Sequence, residues 1–144
     1  TDTTALINAS LCYKMLDMTD KSVEYANKVL AKENLSADIY YTASKIDEIK
    51  NIQYLKKAVS LDPMMTDAWL DLADIAIKNN RLELARTYLK PVKYVNSKDH
   101  RYYYLAGLIQ KQQGNKEAAQ SNFKKSLEIN PFFVEASKEL SSQL

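Results

Sequence analysis

The sequence predicts an all-α fold, an array of antiparallel helix pairs closed by a C-terminal capping helix. Three observations predict it. The 144 residues include only two glycines and three prolines, too few for a β-protein with many tight turns, and they are 46% hydrophobic and 26% charged, a globular balance. A period of 34 runs through the second half. Pro63 and Pro131 lie two periods apart, and Trp69/Tyr103, Leu72/Ala106, Ala73/Gly107, Ala85/Ala119 and Leu89/Phe123 are each one period apart. Asn80 and Gly114 keep the same spacing and are residue types that tolerate the left-handed backbone a helix needs where it stops and turns. One period therefore holds a helix, a tight turn, a second helix and a short link.

The elements follow in order. The first pair, about 3–34, is degenerate. With Asn34 taken at the place of the later prolines, Leu6, Ala9, Ser10, Tyr13 and Val29 fall at core places and Asp17 at the turn. The second pair, 35–63, is shorter than the period. Its second helix has Leu55 and Ala58 in place, so its first helix is expected to lose about one turn near Lys45–Lys50. The third pair covers 66–99 and the fourth 100–131. Residues 132–144 read as the cap, opened by Pro131, with Val134, Ala136 and Leu140 inward and Lys138, Glu139, Ser141 and Ser142 toward water. A pair cannot bury its apolar face alone, which is why the helix is repeated and why the last one needs a polar outer face.

"WLDLADIAIKNNRLELARTYL" and "YYLAGLIQKQQGNKEAAQSNFKKSLEINP" resemble tetratricopeptide repeats. Tyr103, Ala106, Gly107, Ala119, Phe123 and Pro131 fill the family's places in the last repeat, with Gln110 departing from its Tyr. Trp69, Leu72, Ala73, Ala85 and Leu89 fit in the repeat before, where Ala76 replaces the Tyr and Ser97 the Pro. The resemblance implies a right-handed superhelical α-solenoid and a non-catalytic protein–protein interaction scaffold. It also implies that the first helix of each pair lines a concave groove. Carried over, the groove places are Asp67, Leu70, Asp71, Asp74, Ile77 and Lys78 in the third repeat, and Arg101, Tyr104, Leu105, Leu108, Lys111 and Gln112 in the fourth. The first repeat offers Ile7, Asn8, Leu11, Lys14 and Met15, and the second Tyr41. The set that grips chaperone C-termini is missing, since Ile7, Leu11, Asp71 and Leu105 stand where its Lys, Asn and Arg residues would be. The expected partner-binding residues are Ile7, Asn8, Leu11, Tyr41, Asp67, Leu70, Asp71, Asp74, Arg101, Tyr104, Leu108 and Lys111. An apolar and aromatic groove with acid at its middle suits a protein or peptide with apolar anchors and a basic residue.

Other chemistry finds little support. His100 is the only histidine and reads as a helix-start residue at a repeat junction, and no Cys/His spacing suggests zinc, so neither a catalytic set nor a cofactor is expected. Asp67, Asp71 and Asp74 share one helix face, but a flexible loop is the usual calcium solution. A net charge of +2 argues against a dedicated nucleic-acid binder, and the ten tyrosines are accounted for by packing. No apolar run approaches the roughly 18 residues of a membrane span. Cys12, alone among apolar neighbours, is expected in the core. The chain starts at Thr1, and a fragment or processed protein is expected. Two rival readings remain: an accessory segment of a larger enzyme or envelope assembly, and, with less support, an RNA-binding helical repeat.

Overall fold

The computed structural model describes residues 2–142. Among them are nine helices and no strand: α1 (Thr3–Met15), α2 (Thr19–Leu30), α3 (Ala37–Ile46), α4 (Asn51–Leu61), α5 (Thr66–Lys78), α6 (Leu82–Val95), α7 (His100–Gln112), α8 (Lys116–Ile129) and α9 (Val134–Ser142). They fall into two compact units, Thr1–Ala68 and Trp69–Leu144, with the division in the first turn of α5.

Three of the turns within pairs share one mechanism. Asp17, Asn80 and Gly114 take φ of 58°, 57° and 82°. At each, the next residue's N–H reaches back to a carbonyl of the last helical turn: Met18 to Tyr13 (2.8 Å), Arg81 to Ala76 (2.8 Å) and Asn115 to Gln110 (2.9 Å). These bonds satisfy carbonyls that the helix leaves orphaned. The α3–α4 turn is different. The Asp47 carboxylate accepts from the N–H groups of Ile49 (2.9 Å) and Lys50 (3.1 Å), and no left-handed residue is needed. α3 has 10 residues where α5 and α7 have 13, so the lost turn lies where the short second repeat requires it. The links after α4, α6 and α8 reuse a single device. Asp62, Asn96 and Asn130 accept through their side chains from Met64, Lys98 and Phe132 two residues on, at 3.1–3.2 Å.

In the first unit the core gathers Ile7, Ala26, Val29, Leu35, Ile39 and Ala43. α1 and α2 meet at two buried serines. Ser10 Oγ donates to the Ser22 carbonyl (2.6 Å) and Ser22 Oγ to the Ser10 carbonyl (2.9 Å). The second unit's core gathers Leu70, Ala73, Ile77, Ala85, Leu89, Val92, Leu105 and Ile109, with Trp69 and Tyr88 against it. α7 and α8 meet where Phe123, fully buried, lies on Gly107; a Cβ on that glycine would sit 2.5 Å from the ring.

Three expectations change. Cys12 is exposed, because the buried face of α1 runs through Ile7 and Ser10, and a residue two places after Ser10 points to the far side. Pro131 does not open the last helix; it sits in the turn built by Asn130, and α9 starts at Val134. Val134 is 56% exposed, since the inward place in α9 belongs to Ala136, two residues on. The final two residues of the expected cap, 143–144, lie outside the described residues.

Candidate functional site

In the second unit the expected site residues separate into core, paired and open groups. Leu70 is fully buried beside Leu105, which corrects its expected exposure. Its place in the repeat faces a neighbouring first helix, so the side chain becomes seam packing. Ile77 and Leu105 are core for the same reason. Arg101 Nη2 donates to Asp71 Oδ1 at 2.9 Å across α5 and α7, each side chain about one-third exposed. Lys111 Nζ is 2.6 Å from Glu139 Oε2 and ties α7 to α9. Lys78 pairs with Asp74 at 3.0 Å. The expected acidic middle is thus partly neutralised by the chain's own cations. Asp67, which belongs to the first unit, remains exposed in the first turn of α5.

Tyr104 and Leu108 stay half-buried on α7. The Tyr104 ring meets Phe133 edge-on, with centroids 5.1 Å apart at 89°, and Phe123 at 6.0 Å. Burial raises its phenol above the usual value, and the charges of Glu139, Asp74 and Glu135 raise it further. The ring therefore sits in a carboxylate-rich setting contributed by α5 and α9. Because Phe133 covers part of it, Tyr104 serves packing of α9 as well as any partner, which was not expected.

In the first unit Ile7 is 1% exposed and belongs to the core, a second correction with the same cause as Leu70. Asn8 is exposed and Leu11 half-buried on α1. Tyr41 is half-buried on α3, with the Lys45 ammonium 4.3 Å from its ring centroid. Lys14, another of the first-repeat groove places, is held within the unit. Its Nζ donates to the carbonyls of Lys45 (3.1 Å) and Ile46 (2.7 Å) and lies 3.7 Å from Glu48, so it caps the shortened α3. Met15 is largely exposed.

Sequence reasoning missed a cavity of about 450 Å³ in this unit. Lys14 of α1, Val23, Ala26, Asn27 and Leu30 of α2, Ala43 and Ile46 of α3 and Tyr54 of α4 line it, and the 47–50 turn edges it. The signal was present, because a missing turn in α3 leaves space against α2. Among the described residues no group of His, Cys, Asp and Glu could hold a metal, and no helix is long and apolar enough to cross a membrane.

Two tetratricopeptide-repeat family models match the chain, at residues 52–109 and 100–133, together more than half of it. No curated protein matches by sequence. Among solved structures, MamA is 22% identical, with 90% of this chain and 79% of that chain covered and a TM-score of 0.74. YrrB, described as a tetratricopeptide-repeat protein with an unusual peptide-binding site, is 20% identical, with 99% and 75% covered and a TM-score of 0.74. PilF of Pseudomonas aeruginosa is 19% identical, with 99% and 67% covered and a TM-score of 0.82. At these identities the likeness is one of fold.

Proposed function

We propose that this chain, which belongs to the tetratricopeptide-repeat family, is a non-catalytic scaffold that binds a peptide or helix of a partner protein along its first helices. The observation that carries the reading is the face of α7 in the second unit. Tyr104 and Leu108 are half-buried there, and Asp74, Glu135 and Glu139 act on the Tyr104 phenol. Such a face suits an apolar anchor next to a Lys or Arg that competes with Lys78 for Asp74 and with Lys111 for Glu139. On the first unit's side of the division, Asp67 is an exposed carboxylate at the start of α5. In the first unit Asn8 and Leu11 of α1 and Tyr41 of α3 stand at the corresponding places, polar and apolar. The buried Leu70 and Ile7 hold the helices that present these residues, and the Asp71–Arg101 pair sets the spacing of α5 and α7. The peptide-binding site named for YrrB lends analogy, at the level of fold.

The test is selection of random peptides displayed on phage against the whole chain. Basic and apolar peptides are expected. Their affinity for the Asp67→Lys/Asp74→Lys variant should fall most at low salt, because rim charges act mainly through salt-dependent association. Selected peptides without a basic residue, or binding that this double variant leaves intact, would count against the reading.

A further inference from the structure

We propose that the cavity at the short end of α3 is a second binding site, which takes a pair of neighbouring apolar side chains from a peptide. It is distinct from the first-helix faces discussed above, since α2 supplies Val23, Ala26 and Leu30 to its lining. Its volume of about 450 Å³ falls in the range of ligand pockets, and it exceeds what one aliphatic side chain fills.

The chemistry of the rim selects against a charged ligand. Lys14 is spent on two carbonyls and Glu48. The Asp47 carboxylate is spent on the N–H groups of Ile49 and Lys50. Lys14 and Lys50 balance Asp47 and Glu48, so the mouth offers no net charge. Val23, Ala26, Leu30, Ala43 and Ile46 form an aliphatic wall, beside which Asn27 and the Tyr54 phenol are the uncharged polar members of the lining. The space does not close on itself because Lys14 holds the end of α3 in place.

The mouth argues for a peptide over a small molecule. Ile49 is 95% exposed and Val23 49% exposed, and both border the cavity. They extend its apolar surface outward, past what a buried small molecule would cover. A peptide that inserts two side chains and lies across Val23 and Ile49 uses all of this surface.

The test is to select random phage-displayed peptides on the Asp67→Lys/Asp74→Lys chain, in which the proposed first-helix face is disabled, so that the two readings fail separately. The expected peptides carry two apolar residues in one turn. They should bind this variant and the unaltered chain alike. Val23→Asp and Ile49→Ser should each weaken them by at least about tenfold with unchanged circular dichroism. Ile49 is too exposed for its loss to unfold the chain. Unaltered binding by both variants, enrichment of peptides without an apolar pair, or no enrichment at all would overturn the proposal. So would concentration-dependent self-association abolished by Ile49→Ser, which would assign the cavity to a second copy.

Discussion

The first helix pair and the last are joined at corresponding places of the repeat by different chemistry. In α7 and α8 the contact is one of size: Gly107 gives up its side chain and Phe123 fills the space. In α1 and α2 the corresponding places hold Ser10, Ser22 and Ala26, with no large ring. Two reciprocal hydroxyl-to-carbonyl bonds hold the helices together instead. The third pair takes a middle course, with Ala73 and Leu89 where the last has Gly107 and Phe123. The residues that join the two helices of a pair thus differ as a group from one repeat to another. Changing one member without its partner should therefore be costly.

The largest effect should come from Phe123→Ala. Emptying a fully buried aromatic site costs about 3–5 kcal/mol, which approaches the whole stability of a small domain. Thermal denaturation should show a strongly lowered Tm, while Lys116→Ala, at an exposed place, should leave it unmoved. Equal midpoints for the two variants would remove Phe123 from the core.

Gly107→Ala should cost about 1–3 kcal/mol, because the added methyl meets the Phe123 ring. Combining it with Phe123→Leu recreates the Ala73/Leu89 solution of the third pair. Urea denaturation of the four chains in this cycle should show favourable coupling, with the double variant more stable than the two single losses would sum to. Additive losses would show that the close approach is not exchangeable.

The serine contact should be softer. Ser22→Ala removes one donor, and the Ser10 carbonyl it leaves behind lies in a helix, so about 1 kcal/mol is expected, readable as a shift of the urea midpoint. Lys14→Met should cost about as much or less, since its side chain is about one-third exposed. Its effect should be local, with faster amide hydrogen exchange at the end of α3 and in the 47–50 turn and little change elsewhere.

Alkali should act through half-buried phenols. Tyr102 and Tyr104 in the second unit and Tyr54 in the first have pKa values raised above 10, in each case chiefly by burial. A raised phenol keeps its proton in the folded state after the unfolded chain has released it. Its stabilisation is full below pH 10 and is lost as pH climbs through the folded value. The urea midpoint should fall from about pH 8 to about pH 11, and Tyr104→Phe should flatten that fall.

The sequence made the second unit legible because size leaves a mark on residue type. Gly107, Ala119 and Phe123 are distinctive, and the period that joins them to Ala73, Ala85 and Leu89 gives the helices, their turns and the family. Asp17, Asn80 and Gly114 were readable as turns because a left-handed backbone restricts the residue that can occupy it. The missing turn of α3 was readable from length. Hydrogen bonds between serines leave no such mark, nor does a lysine that caps a helix thirty or so residues away. The candidate site was less legible than the fold. A groove place such as that of Leu70, Ile7 and Tyr104 faces both outward and along the array, and whether it opens depends on which neighbour covers it. Arg101 and Lys111 were placed correctly on their helices, but the sequence does not show that Asp71 and Glu139 come within reach of them.

Whether the first helices carry the partner can be read by amide chemical-shift mapping. A basic, apolar peptide selected on the intact chain would be titrated into it, and the shifts of each helix followed. The account predicts shifts concentrated on α5 and α7, strongest around Asp74, Tyr104 and Leu108, with α9 responding through Phe133. Shifts confined to α6 and α8, the second helices, would contradict it.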